Sequence, residues 1–373
     1  MLIETIEISL EQLRQKTEAI RFILKQNQSL RDILFTNDEE VRKKAADLQL
    51  NLSENSISLT EWAIYEHCAV VSQLYAIYEN FVKKIISKWL EALPQLVTEY
   101  ERLDEVIRNN HRSGVGKLIS NFGNNRYEDL SLEQIIQGLF YGVKKNSKSK
   151  YELIPESFLI NFQNNLREKE LQNLLTAIGL NDFKSCVGIN DSQSSWMWLE
   201  HHQNIKEYID NILGGSNTLK KELDQFIEYR NASAHNLVQE SEFLGYDSLL
   251  NLCYFVDAIC QALADLLIYH FLSKKNHINQ AKKIGEIKKY FPNKKVIMAS
   301  VNRVTLSSED KIFIVNPKSS YCKAAIIREL RNEKGESKQT LRIRNQQDIT
   351  LEVDMINAIK PPKKNQSLYI IAK

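Results

Sequence analysis

Residues 230–235 read Arg-Asn-Ala-Ser-Ala-His, so that Arg230 stands five positions before His235. The Arg guanidinium is permanently charged and can bind two phosphate oxygens at once. A His with an ordinary pKa of about 6.5 can act as general acid or general base at neutral pH. RNA carries its own nucleophile, the 2′-hydroxyl beside each phosphate, so its cleavage requires these two groups and no metal or other cofactor. The pair therefore predicts RNA cleavage.

The spacing has consequences for geometry. On a regular helix Arg230 and His235 are separated by about 140°, whereas Asn231 and His235 share one face. The Arg side chain has to reach around the helix, past a spacer of small residues that leaves room for a sugar-phosphate strand. Asn231 is expected to orient either the imidazole or the phosphate. The reaction transfers two protons, and the motif of one chain contains a single His. A symmetric homodimer would supply the second proton-transfer group from the other chain.

The elements that must position this motif are mostly helical. Apolar residues at helical spacing predict a first helix over 1–35 and a long central helix from Ser58 to Leu93, with Ser58 and Glu61 as its capping box. Later helices are predicted at 195–213, from about Thr218 into the motif, and at 247–274. The motif thus lies late in one helix of a bundle.

The central helix contains the run Tyr-Ala-Ile-Tyr-Glu-Asn-Phe at 75–81. Together with the motif, this run resembles the HEPN superfamily of ribonucleases, of the RiboL-PSP and related types found beside prokaryotic defence and restriction genes. The resemblance implies a helical bundle over 1–272, paired across a two-fold axis, with metal-independent endoribonuclease activity. Its motif maps onto Arg230 and His235, with Asn231 at the polar position after the Arg, and its acidic position matches Glu79 loosely. The resemblance also implies an RNA substrate and a partner protein of a defence system.

Two regions depart from a minimal bundle of this kind. Residues 95–190 predict a helical insertion or cap, with short helices at 96–109, 132–143, 155–162 and 167–178. After a basic linker at 273–295, the periodicity changes from near 3.6 to near two, which is typical of strands. Strands are predicted at 296–301, 311–315, 324–329, 340–344, 351–355 and 368–372. The expected fold is therefore mainly α, followed by a small all-β domain at 296–373, a barrel or a sandwich.

Charge divides the chain unevenly. Residues 274–373 hold 22 Lys or Arg against 9 Asp or Glu, a net charge of +13, and the preceding residues carry −11. A basic domain of this kind is expected to contact the backbone of DNA or RNA. Lys294, Lys295, Arg342 and Arg344 are the candidate contacts. A solvated Lys-rich surface is the alternative.

The five Cys form no Cys-x-x-Cys pair and the N-terminus does not resemble a secretory leader, so a cytoplasmic protein is expected. Residues 249–272 approach the length of a membrane span. However, Asp257, Gln261 and Asp265 recur every four residues and form a polar stripe. We interpret this segment as a core helix, and we expect no membrane contact.

Other chemistry is disfavoured by the sequence. The run Ser-Gly-Val-Gly-Lys at 113–117 lacks the first Gly of a phosphate-binding loop, where His111 stands, and Leu118 replaces its Ser or Thr. A metal site at Glu200, His201, His202 and Glu207 lacks a second ligand cluster. One alternative of another class stays open, a non-catalytic adaptor that binds nucleic acid and dimerises through the bundle. In it, Arg230 and His235 would only form caps or salt bridges.

Overall fold

The computed structural model describes residues 2–36, 38–47, 58–122, 131–144, 151–162, 165–180, 194–215, 217–235, 238–239, 242–356 and 361–372. The helices found there are α1 (Leu2–Leu34), α2 (Glu39–Asp47), α3 (Leu59–Leu96), α4 (Glu105–Ser120), α5 (Leu132–Val143), α6 (Pro155–Leu159), α7 (Glu168–Ala177), α8 (Ser195–His201), α9 (Gln203–Asn211), α10 (Leu219–Ala234) and α11 (Tyr246–His277). The strands are β1 (Ala281–Phe291), β2 (Val296–Val301), β3 (Val304–Ser307), β4 (Lys311–Asn316), β5 (Tyr321–Arg331), β6 (Ser337–Lys338), β7 (Thr340–Ile343), β8 (Gln347–Met355) and β9 (Ser367–Ile371). The chain is mainly helical, with its strands at the C-terminal end, as predicted.

Helix α3 is the centre of the bundle, and α1, α10 and α11 pack around it. It begins with the predicted capping box, in which Ser58 accepts from the backbone N–H of Glu61 and the Glu61 carboxylate accepts from the backbone N–H of Ser58. Aromatic and aliphatic side chains at spacings of three and four, such as Tyr78 and Trp89, are fully buried. Burial of each side chain of this size contributes about 1.5–3 kcal/mol to the stability of the fold. The bundle therefore holds α3, and the side chains on it, in a fixed position.

Helix α11 has the length and hydropathy of a membrane span, but 89% of its most apolar window is buried inside the protein. Its predicted polar stripe is satisfied by partners from the same chain. Asp257 accepts hydrogen bonds from Thr17 and Arg21 of α1, at 2.7 and 2.8 Å. Gln261 accepts from Arg14 at 2.6 Å. The helix therefore belongs to the bundle core, as its polar stripe indicated.

Six strands close into a barrel in the order β4-β9-β1-β2-β8-β5, because β5 also pairs with β4. Strand β6 extends one edge through a hairpin at 332–335, where Gly335 adopts a φ of +80°. Strands β3 and β7 form a separate two-stranded sheet. The structure thus decides between the two predicted architectures in favour of a barrel.

The predicted basic linker at 273–295 is wrong. Helix α11 continues to His277, and most of the remaining residues form β1, which lies between β2 and β9 in the barrel. The buried residues of β1 are Ala281, Ile284 and Ile287, three apart instead of two, because β-bulges shift its register against both neighbours. At Gly285 a Cβ atom would lie 2.0 Å from the carbonyl oxygen of Ser300, so only glycine allows this approach of β1 to β2.

Three predicted helices, at 58–93, 96–109 and 195–213, also have different bounds. Helix α3 continues through Pro94 to Leu96, and a 3₁₀ turn at Tyr100–Arg102 precedes the next α-helix, α4, which begins at Glu105. The predicted helix at 195–213 is interrupted at His202, which is extended and accepts a hydrogen bond from the backbone N–H of Asn204 as the N-cap of α9. Burial of the His202 imidazole against Asp265 holds it in this position, and helical periodicity does not reveal it.

The bundle and the barrel share a core. Barrel residues such as Phe313, Val315 and Tyr369 pack into the same hydrophobic cluster as the helices. A buried ion pair lies at this junction, where Nζ of Lys323 from β5 is 2.5 Å from Oδ2 of Asp265 from α11. Nε2 of His202 lies 2.8 Å from the same carboxylate oxygen. The two parts of the chain are therefore joined by both apolar packing and charge.

Candidate active site

Helix α10 carries the motif and is held against α3 by its apolar face. Thr218 caps its N-terminus by accepting from the backbone N–H of Lys221. Leu223, Phe226 and Ile227 are buried, and the Phe226 ring lies 6.1 Å from that of Tyr75 on α3. This packing sets the last turn of α10, which begins at Arg230, beside the middle of α3.

The guanidinium of Arg230 is half-buried and, among the residues that the structure describes, it contacts Tyr75 and Asn231. Its Cζ lies 4.8 Å from the centre of the Tyr75 ring, a cation–π geometry. Its Nη1 donates a hydrogen bond of 3.2 Å to Oδ1 of Asn231. A cation–π contact contributes about 0.5–2 kcal/mol, depending on how far the cation is desolvated. These contacts restrict both the plane and the rotation of the guanidinium.

Asn231 was expected to orient the imidazole or the phosphate, but its side chain contacts Arg230 and Asn165 instead. Its Oδ1 accepts from Arg230 and also from Nδ2 of Asn165, at 2.7 Å, and Asn165 lies in the predicted insertion. In the part of the chain that the structure describes, no hydrogen bond joins the side chains of Asn231 and His235. Asn231 therefore orients the arginine of the motif.

His235 is the C-cap residue of α10. Its backbone N–H donates to the carbonyl oxygens of Asn231 and Ala232, at 3.2 and 3.3 Å, and its side chain is exposed. The imidazole thus stands at the protein surface, one turn of helix beyond the arginine. A proton donor or acceptor in this place is accessible from solvent.

Glu79 lies one turn after Tyr75 on α3. Its Oε1 is 2.9 Å from Nζ of Lys83, an ion pair between adjacent turns, and both side chains are partly exposed. Burial raises the pKa of the Tyr75 phenol and the negative charge of Glu79 raises it further, whereas the hydrogen bond from Leu166 and the charge of Arg230 lower it. The carboxylate and the guanidinium therefore act on the same phenol ring. The catalytic role of Glu79 stays a prediction.

Comparison with known proteins places the chain in a family. The family model of the RiboL-PSP-HEPN domain matches residues 37–269, which is more than half of the chain and includes α3, α10 and most of α11. The chain belongs to this HEPN family. The match runs through the predicted insertion, while α1 and the barrel lie outside it. HEPN domains are often ribonucleases, so membership connects the chain with RNA-related function.

The other comparisons add little. No curated protein matches the HEPN chain. Two solved structures match a short part of it, the C-terminal domain of a putative U32 peptidase from Geobacillus thermoleovorans and the selenomethionine variant of that domain. Their identities are 14% and 15%, and each TM-score is 0.20; they cover 23% and 24% of this chain and 89% and 98% of those chains. A likeness at this TM-score carries no information on function.

Sequence reasoning missed two contributors to the HEPN site. Tyr75 was part of the run that carried the resemblance, but nothing in the sequence showed that its ring lies under Arg230. Asn165 lies 66 positions before Asn231, in a region predicted as a cap, and no local pattern marks it. Both residues reach the motif only through the packing of α3 and the segment before α7 against α10.

The basic residues expected to bind nucleic acid lie on the surface of the β domain, with Arg342 on β7 of the separate two-stranded sheet. Lys294 and Lys295 follow β1 and are exposed, and Nζ of Lys295 lies 3.4 Å from Asp354. Arg342 and Arg344 are exposed on either side of the buried Ile343, as the predicted alternation requires. Their role in binding stays a prediction, since no nucleic acid is present.

His67, another His of the HEPN bundle, contributes to the packing of the helices. His67 of α3 is buried, its Nδ1 accepts from the backbone N–H of Leu244 at 3.0 Å, and its ring meets that of Tyr229 edge-on. Burial lowers the pKa of His67 to about 4, so the imidazole is neutral at neutral pH. It therefore ties the chain between α10 and α11 to α3.

Proposed function

We propose that this protein is a metal-independent endoribonuclease of a prokaryotic defence or stress system, acting as a homodimer in the cytoplasm. Membership of the HEPN family supports RNA as the substrate. The observation that carries the proposal is the pairing of an oriented guanidinium with an exposed imidazole at the end of α10. Arg230 is fixed by Tyr75 and Asn231, and His235 remains accessible.

In the proposed reaction, the 2′-hydroxyl oxygen attacks the adjacent phosphorus and the bond from phosphorus to the 5′-oxygen breaks. His235 removes the proton from the 2′-hydroxyl, and a second group gives a proton to the departing 5′-oxygen. Arg230 binds two of the phosphoryl oxygens and stabilises the negative charge that grows on them. The products are a 2′,3′-cyclic phosphate and a free 5′-hydroxyl.

The second proton-transfer group is the reason for proposing a dimer. The motif of one chain supplies a single imidazole, and the reaction moves two protons. In a two-fold arrangement, His235 of the partner subunit gives the proton that the leaving oxygen needs. Activity per chain should then fall when the protein is diluted to a concentration at which sedimentation shows monomers, and a fully active monomer would contradict this part.

The β domain is proposed to hold the backbone of a nucleic acid through Lys294, Lys295, Arg342 and Arg344. The exposure of these side chains supports contact with a large polyanion. Lys295 contributes less than the others, because Asp354 already lies beside it. A partner protein of the same defence system is proposed as the source of control over the nuclease.

The central experiment is cleavage of a panel of single-stranded RNAs in EDTA by the wild-type protein and by His235→Ala. We expect the variant to lose about 10²- to 10⁴-fold in rate, the usual contribution of a positioned acid or base. His201→Ala is the matched control, since His201 is an exposed His at the end of α8. An RNA with a 2′-deoxy sugar at the cleavage site should resist both proteins.

The outcome that would contradict the proposal is a folded wild-type protein that cleaves none of these RNAs in EDTA. Cleavage that survives in His235→Ala at the level of the wild type would contradict it equally. A wild-type protein that binds RNA without cutting it would favour the adaptor.

A further inference from the structure

Two consecutive residues of the inserted region reach the guanidinium of Arg230 by separate routes. Nδ2 of Asn165 donates to Oδ1 of Asn231 at 2.7 Å, and Nη1 of Arg230 donates to the same oxygen at 3.2 Å. The backbone N–H of Leu166 donates to Oη of Tyr75 at 3.2 Å, and the Tyr75 ring faces the guanidinium. One route fixes the edge of the guanidinium, and the other fixes the ring beneath it.

Only one arrangement of donors and acceptors is possible among Arg230, Asn231 and Asn165. A guanidinium has donors only, so Asn231 must present its oxygen to Arg230. The same oxygen faces Asn165, which must therefore present its amide nitrogen. If the Asn165 donor is removed, Asn231 loses the contact that keeps its oxygen turned toward Arg230, and the amide is free to rotate.

The segment that carries Asn165 is itself well fixed. Leu166 is buried in the core, and its carbonyl oxygen accepts from Oη of Tyr78 at 3.3 Å. The next residue, Arg167, forms an ion pair of 2.6 Å with Glu228 of α10. The position of Asn165 is thus set by both α3 and α10, which are the two helices that carry the site.

We infer that Asn165 is a positioning residue of the nuclease, which acts through Asn231 to hold the Arg230 guanidinium in the orientation that binds the phosphorane. This inference rests on the proposed function and adds to it that the inserted region completes the active site. Because binding of a long RNA is spread over many phosphates, the loss of this orientation should lower kcat and leave KM nearly unchanged.

The test compares Asn165→Ala and Asn165→Asp with the wild type in RNA cleavage. Each should lower kcat by about 2- to 10-fold, the effect of one net hydrogen bond. The Asp variant keeps the size of the side chain and has no amide donor, so kcat at the wild-type level in Asn165→Asp would overturn the inference. Asn121→Ala is the control: it removes an exposed Asn of the same inserted region, which donates from Nδ2 to the carbonyl oxygen of Lys117, and should leave kcat unchanged.

A double-mutant cycle separates positioning from a general loss of structure. If Asn165 acts through Asn231, then Asn165→Ala should have no further effect on kcat in an Asn231→Ala background. Additive losses in the double variant would overturn the inference.

Crystal structures of the wild type and Asn165→Ala distinguish this inference from the proposed function. If the wild type cleaves no RNA, the proposed function fails. The two structures still show whether Asn165 positions the guanidinium of Arg230. The guanidinium of Arg230 should leave the face of Tyr75, or occupy several orientations, in the variant. A guanidinium in the wild-type place would overturn the inference.

Discussion

The buried ion pair between the bundle and the barrel predicts a large effect of one substitution, Lys323→Met. The Asp265 carboxylate accepts from Gln261 at 2.8 Å, lies 2.8 Å from Nε2 of His202 and pairs with Lys323 at 2.5 Å. Without Lys323 it would remain ionised and buried between two neutral donors. Removal of one partner from such a pair costs about 3–5 kcal/mol in the free energy of unfolding.

The dependence on pH follows from the same contacts. Burial alone would raise the pKa of Asp265, but the charge of Lys323 and the hydrogen bond from His202 outweigh it and hold the pKa below its ordinary value. In the wild type, the stabilisation is therefore complete above the carboxyl pKa of the unfolded chain and is lost as pH falls through the lower, folded value. In Lys323→Met the folded pKa of Asp265 rises, so protonation of the carboxyl relieves the unpaired charge. The difference in stability between wild type and variant should therefore shrink as pH falls toward about 4.

The measurement is denaturant unfolding, followed by circular dichroism and Trp fluorescence, at pH 7 and pH 4.5. Lys323→Met combined with Asp265→Leu should be more stable than Lys323→Met alone, because no unpaired charge remains buried. Lys295→Met is the control, since its ion pair with Asp354 is exposed and should change stability by less than about 1 kcal/mol. A loss below about 1 kcal/mol at pH 7 in Lys323→Met, or a loss that is equal at both pH values, would refute the reasoning.

Two further predictions concern the insertion and the β domain. Gly114→Ala should destabilise the protein by about 1–3 kcal/mol, because its Cβ would lie 1.7 Å from the carbonyl oxygen of Ser157 and α4 would have to move from α6. Gly116→Ala in the same helix meets open space and should be neutral or stabilising by up to about 1 kcal/mol, so equal melting temperatures for the two variants would contradict the close approach. Replacement of both Arg342 and Arg344 by Ala should weaken RNA binding at all sequences and reduce its dependence on salt by about two phosphate contacts. An unchanged salt slope would count against the β domain as a binding surface.

The glycines of the 113–117 run illustrate how far the sequence can be interpreted. The sequence argues against a phosphate-binding loop here, because two of the residues that such a loop requires are absent. The structure places it inside α4, where Gly114 allows the backbone of α6 to approach. The sequence excluded one function, and only the packing showed the reason for the glycine.

Elements whose side chains alternate regularly between core and solvent were predictable. The helical repeat located α5, α10 and α11 closely, and strict alternation located β2. Strand β1 was missed because its bulges spread the buried residues three apart and its exposed positions are rich in Lys. The break at His202 was missed because a buried contact with Asp265, 63 residues later, decides it.

The sequence by itself located the candidate pair and its helix, because the spacing of Arg230 and His235 and the Thr at position 218 are local features. It also determined the division into a helical and a β part, since the periodicity changes along the chain. The tertiary structure alone decided what holds the arginine. Tyr75 and Asn165 come from distant parts of the chain, and the contacts of each with the motif depend on how α3 and the inserted region pack against α10, which no short-range pattern encodes.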